Sequence, residues 1–316
     1  MNVSQNVSIF EPLRSAWNYT RRMLFEPFDF KKWLIIGFSC FLANLATYTN
    51  SGGNFSSGGT DSSGASGESL MSVLEEAFGA FASAVLGIGL VLILLIVVLA
   101  IALSLAMLWV GCRGTFMFID NIARNEAAVT APWKKYARQG WQLFYLYLAG
   151  AASLIAVIIA GIVPFVLMSE TEGWSFDSEL SSVALILVIS LFAILVITFS
   201  VLMILVKGIV IPRMYVQQYG VLPALRDGWN LFCEYPLEWI AYIFVSIGLA
   251  IASVVLVLTF CLFTCCIGVL PYINQVAMLP MYVFIQAYTL YFIAQFGPGW
   301  NAFKPLPPAL IIPDAT

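Results

Sequence analysis

Along most of this chain, apolar residues do not alternate with polar ones; they run together in uncharged windows separated by short clusters of charge. Windows of about 20 such residues are long enough to cross a bilayer as helices. They fall at 33–49, 84–110, 142–168, 183–206, 239–263 and 276–296 and predict six transmembrane helices. The last two lie in one uncharged run from Trp239 to Phe303, joined by a turn around Gly268, Pro271 and Asn274. Residues 70–110 are too long for a single crossing at about 1.5 Å per residue, so an outer amphipathic helix from Leu70 to Phe81 is expected before the second span. Pro164 and Pro280 fall inside apolar windows and predict kinks.

The polar clusters between windows repeat. "ARQGWQLF" at 137–144 and "LRDGWNLF" at 225–232 share Arg138, Gly140, Trp141, Leu143 and Phe144 with Arg226, Gly228, Trp229, Leu231 and Phe232. A looser copy, "LRSAWNYT" at 13–20, keeps Arg14, the small Ala16, Trp17 and Asn18. Each copy precedes an odd-numbered span. At helical spacing each divides into an apolar stripe containing the tryptophan and a polar stripe containing the arginine, the pattern of a helix lying in the membrane interface. Tryptophan suits that depth because its ring is apolar while its N–H seeks water. Glycine weakens a helix by about 1 kcal/mol relative to alanine, so Gly140 and Gly228 predict close backbone approach or a bend.

The expected fold is therefore all-α, a single membrane domain over 1–316. It holds six transmembrane helices as three parallel helical-hairpin repeats at 10–113, 131–208 and 222–298, each preceded by a cytoplasmic interfacial amphipathic helix. Residues 50–69 form a flexible Gly/Ser outer loop and 299–316 a C-terminal tail.

Composition agrees and charge orients the chain. Of 316 residues, 61% are hydrophobic and only 10% charged, against roughly 25% charged in soluble domains. With the N-terminus inside, all 14 Lys and Arg fall on one side of the predicted spans. The other side carries Asp61, Glu68, Glu75, Glu76, Glu170, Glu172, Asp177 and Glu179. This is the positive-inside pattern, with both termini cytoplasmic. The polar first 32 residues lack the apolar core of a cleavable secretory signal, so an internal helix is expected to direct insertion.

The inventory for chemistry is thin. Histidine is absent, no glycine-rich phosphate loop appears, and the six cysteines show no metal-ligand spacing. Cys265 and Cys266 read as packing residues, with oxidation as the alternative. The acidic loop 169–182, with Trp174 and Phe176, reads as an outer surface. No Lys, Arg, Asp or Glu falls in the core of a predicted span, which argues against proton coupling and intramembrane hydrolysis. The polar groups left in the spans include Asn44, Gln286 and Tyr288, candidates to line a pore or pocket. The segments 113–141 and 207–229 each open with a basic residue and a glycine and close on a tryptophan motif; they read as solvated loops leading into lipid-facing helices.

The combination of "VKGIVIPRMYV", "ALRDGWNLF" and "AYTLYFIAQFGPGWNAF" resembles an uncharacterised family of bacterial multi-pass membrane proteins. These are similar in turn to the membrane domain attached to some glycerophosphodiester phosphodiesterases. The resemblance covers mainly residues 200–305 and implies a polytopic protein of the bacterial cytoplasmic (inner) membrane. It brings no active site, since the hydrolase half is missing.

The reading that follows is a non-enzymatic scaffold, accessory or lipid-interacting subunit with no cofactor, no metal and no nucleic-acid partner. Arg14, Trp17, Arg138, Trp141, Arg226 and Trp229 are expected to meet anionic lipid headgroups on the cytoplasmic side or a membrane-protein partner. The alternative is a channel or transporter for a neutral or lipid-like solute, with a path between repeats lined by Asn44, Gln286 and Tyr288. A lipid-directed enzyme ranks third and needs carboxylates such as Asp227, Glu234 and Glu238 gathered near Arg138.

Overall fold

The computed structural model describes the backbone of residues 7–48, 71–171, 179–263 and 271–303, with side chains over 7–45, 91–160, 190–263 and 272–303. The Gly/Ser loop, Trp174, Phe176, Cys265 and Cys266 lie outside the described residues. All regular elements among them are helical: α1 (Phe10–Phe25), α2 (Phe30–Tyr48), α3 (Met71–Arg124), α4 (Thr130–Lys135), α5 (Ala137–Thr171), α6 (Glu179–Leu205), α7 (Ile211–Gln217), α8 (Val221–Glu234), α9 (Pro236–Phe263), α10 (Pro271–Ala277) and α11 (Leu279–Ala294). A π-helical turn, Val206–Val210, joins α6 to α7, and a 3₁₀ turn, Pro298–Trp300, follows α11.

Among the described residues, four stretches are long and apolar enough to cross a membrane: Val91–Arg124, Ala137–Ala160, Ser190–Gln217 and Pro236–Phe263. They correspond to the second to fifth predicted windows. The windows read as first and sixth spans form α2 and α11, which are not among the four. α11 has 16 residues, about 24 Å of helix against roughly 30 Å of hydrocarbon. Its Leu279, Val283, Ala287 and Leu290 are fully buried against other helices. The separate outer helix expected at 70–81 does not occur. Met71–Arg124 is one 54-residue helix, and no proline interrupts it. Pro280 does mark a break, sitting in the first turn of α11 with Met278 between α10 and α11.

Burial is concentrated at one end of the long helices. α2 runs antiparallel along the last turns of α3, in a register fixed by three contacts. Lys32 Nζ donates to Asn125 Oδ1 at 2.8 Å, Asn121 Nδ2 donates to Ser39 Oγ at 3.3 Å, and Gly114 meets Ala43. A Cβ on Gly114 would lie 2.6 Å from the Ala43 nitrogen and the Leu42 carbonyl carbon, so the two backbones can approach this closely only over glycine. α11 lies in the middle, packed on α1, α2, α3 and the π turn.

The segments expected as solvated loops supply much of this core. Phe116, Met117, Ile119 and Ile122 are at most 1% exposed. Val206, Ile209, Val210, Ile211 and Met214 are buried as well. Two charged residues of the first segment are compensated by their neighbours. Arg113 lies between the rings of Trp109 and Trp133, at 4.6 and 5.2 Å. Asp120, itself 4% exposed, pairs with Arg124 at 3.0 Å and accepts from the hydroxyls of Tyr136 and Tyr215 at 2.8 and 3.0 Å. Burial first, then neighbouring Tyr215 and Asp120, push the Tyr136 phenol well above its ordinary range, so it stays a neutral donor.

Candidate functional site

The cavity that could serve as a site lies beside this core. Its volume is about 230 Å³, and five helices wall it. α2 contributes Cys40, Ala43 and Asn44; α3 contributes Thr115, Phe118 and Ile119; α5 gives Tyr147. The α6–α7 segment adds Met203, Lys207 and Ile211, and α11 adds Tyr282, Ile285 and Gln286. The lining is thus an apolar box with a few polar groups set into it, the usual composition of a small-molecule site.

Lys207 occupies the π turn, and the sequence explains that turn. Pro212 has no N–H to return to the carbonyl of Gly208, four residues earlier, and its ring crowds that carbonyl, so the helix widens there. Val206, Gly208, Ile209 and Val210 are buried while Lys207 keeps exposed surface. Its side chain lines the cavity. No carboxylate lines the cavity, and Lys207 has no ion pair among the described residues.

The other polar groups differ in what they offer. Asn44 Nδ2 donates to Gln275 Oε1 at 2.8 Å and reaches Cys40 Sγ at 3.5 Å, so its donors are turned toward α10 and α2. Thr115 Oγ1 donates to Gly111 O at 2.9 Å within its own helix. The Gln286 amide and the Tyr147 hydroxyl line the cavity and have no hydrogen bond within the described part of the chain.

Of the pocket residues expected from the sequence, Asn44 and Gln286 meet here and Tyr288 does not. Two residues apart on a helix, Gln286 and Tyr288 point to opposite faces. Tyr288 stacks on Tyr242 at 5.8 Å and is 1% exposed. Lys207 was missed because it stands at the end of an apolar window, where a basic residue reads as a loop anchor. The signal available was Gly208 four positions before Pro212, which predicts a widened turn.

The motif residues sit elsewhere, on the outside. Arg14, Arg138 and Arg226 are exposed, as are Trp17, Trp141 and Trp229 at 62%, 42% and 68%. None of the three arginines is in an ion pair among the described residues. The small residue before each tryptophan faces inward: Ala16 is fully buried, and Gly140 and Gly228 are buried too. A Cβ on Gly140 would lie 2.6 Å from Arg113 Cγ, and one on Gly228 would lie 2.8 Å from Ile209 Cγ2. The atoms that crowd these glycines most closely belong to side chains, not to the backbone that was expected. Leu143 and Leu231 of the same motifs face inward as well, at 0% and 6% exposure, while the tryptophans stay on the surface.

No ion pair joins Asp227, Glu234 or Glu238, the carboxylates named for a lipid-directed enzyme, to Arg138 among the described residues. Asp227 is held by Arg213 at 2.8 Å, and Arg213 also lies 4.1 Å from the Trp300 ring and donates to Gly299 O. This clamp fixes the 3₁₀ turn after α11. No group of three metal-ligating side chains occurs among the described residues.

Among its described residues the chain is all helical, with four helices long and apolar enough to cross a membrane, three of which help wall a mostly apolar cavity. The chain belongs to a family of unknown function, DUF7544, whose model matches residues 7–301 and so extends through the Arg213 clamp. No curated protein and no solved structure matches it.

Proposed function

We propose that this protein is a non-enzymatic, lipid-interacting membrane scaffold built from three helical hairpins. In this reading the hairpins begin at the motifs of α1, the start of α5 and α8. The observation that carries it is the common division of the three motifs, each with its small residue packed inward and its arginine and tryptophan turned outward, the arginine in no ion pair among the described residues. Exposed tryptophan beside exposed arginine suits the boundary between acyl chains and anionic headgroups. Three left-handed residues support the repeat: Asn125 (φ 55°) after α3, Gln218 (φ 55°) after α7 and Gly297 (φ 120°) shortly after α11. Each closes an inward helix of the proposed hairpins.

The experiment replaces Arg14, Arg138 and Arg226 together by glutamine and measures the lipid composition retained in nanodiscs of mixed phosphatidylglycerol and phosphatidylcholine. The wild type is expected to enrich phosphatidylglycerol in its annulus and the triple variant to lose that enrichment. Equal enrichment in both overturns the reading. The cavity favours a second reading, a path for a solute between hairpins; measurable solute flux through proteoliposomes would replace the scaffold with a transporter.

A further inference from the structure

From the lining of the cavity we infer that it is a binding site for one anionic group, a phosphate or carboxylate, borne on a membrane amphiphile. The inference rests on the membrane reading above but not on the surface arginines.

Three features lead to it. The first is the state of Lys207. The chain has two basic-glycine pairs, Arg113-Gly114 and Lys207-Gly208, and the cation of the first is covered by two indole rings. Lys207 has no such cover: neither an aromatic face nor a carboxylate meets it among the described residues. A lysine that lines a cavity between apolar helices and has no protein partner leaves its charge to be met by water or by a bound anion.

The second is the sign of the lining. Lys207, Gln286 and Tyr147, residues able to donate N–H or O–H, line one space that holds no acidic side chain. That set solvates an anion and leaves a cation without a counter-charge.

The third is size and surroundings. About 230 Å³ is below the roughly 300–1,000 Å³ of pockets that enclose whole drug-sized ligands. A headgroup fits this space and a two-tailed lipid does not. Met203, Ile211 and Ile285 give the cavity an apolar wall suited to the first carbons beyond the charged group. The π turn that presents Lys207 is a rare conformation, concentrated at functional positions.

The test uses the full-length protein in nanodiscs of phosphatidylcholine, titrated with phosphatidylglycerol and read by native mass spectrometry. The wild type is expected to retain one tightly held phosphatidylglycerol, preferred over phosphatidylcholine by about tenfold or more, the scale of a charge-assisted contact. Lys207→Gln is expected to reduce that preference about tenfold, Gln286→Leu by less, and Lys207→Arg to keep it. The Arg14/Arg138/Arg226 glutamine variant retains this one lipid while losing annular enrichment, which separates the cavity from the interface reading. Unchanged thermal midpoints for Lys207→Arg and Gln286→Leu exclude misfolding as the cause.

A parallel titration in neutral detergent with glycerol phosphate and inorganic phosphate assigns the source of the anion. Lys207-dependent binding of either at micromolar level keeps the site and moves its ligand to the soluble pool. Retention of phosphatidylglycerol by Lys207→Gln at the wild-type level, or equal retention of phosphatidylcholine by the wild type, overturns the inference.

Discussion

Two stretches of the single helix α3 lie in different surroundings. From Val91 to Leu99 the side chains expose 46–66% of their surface, whereas Phe116, Met117, Ile119 and Ile122 expose at most 1%. The first stretch is apolar on every side and carries no feature that selects a neighbour. In lipid that suffices, because acyl chains solvate leucine as well as another helix does and nothing drives the shafts together. The second stretch is patterned: a glycine where α2 crosses, an aspartate with three partners, an arginine between two indoles. Specific packing is therefore written into one end of the bundle, and the shafts specify only that they are apolar.

The sharpest break of this contrast is Gly114→Leu. The added side chain meets the α2 backbone rather than a movable group. The cost is expected at about 3 kcal/mol or more, or outright failure to fold, read as thermal midpoint and monodispersity in detergent. Asp120→Ala comes next. It strands Arg124 and leaves two tyrosine hydroxyls without their acceptor, for an expected loss of about 2–3 kcal/mol by the same measurement.

The charges of the packed end also explain what could be read from the sequence alone. The shafts were legible because uniform apolarity is their only requirement, and the buried small residue of each motif was legible as a close approach, though not as one to a side chain. The inner core was not. Arg113, Asp120, Arg124, Lys207 and Arg213 look like loop anchors to any rule that counts charge, and where they are compensated, part of the compensation comes from residues distant in sequence. Asp120 needs Tyr215, and Arg213 needs Trp300 and Asp227. For the cavity, Asn44 and Gln286 were visible as polar groups in apolar windows. Lys207 was hidden at a window's edge, and helical spacing alone should have separated Tyr288 from Gln286.

Arg213→Ala is expected to have a smaller effect. It removes the half-buried pair with Asp227 and the stacking on Trp300, about 1–2 kcal/mol, with faster proteolysis at the Pro298–Trp300 turn as its specific mark. Smallest is Leu99→Ala in the shaft, 66% exposed. With no packing to lose, it should shift stability by no more than about 0.5 kcal/mol in nanodiscs. A large effect there would reveal a partner helix where lipid is expected.

The most direct test of the contrast places spin labels at Val98, 62% exposed in the shaft, and at Glu126, exposed just beyond the end of α3. Each is measured in nanodiscs against oxygen, which concentrates in lipid, and a water-soluble nickel chelate. Val98 is predicted to be relaxed by oxygen and shielded from nickel, and Glu126 the reverse. Nickel access at Val98, or oxygen-dominated relaxation at Glu126, would contradict an α3 whose shaft lies in lipid and whose packed end meets water.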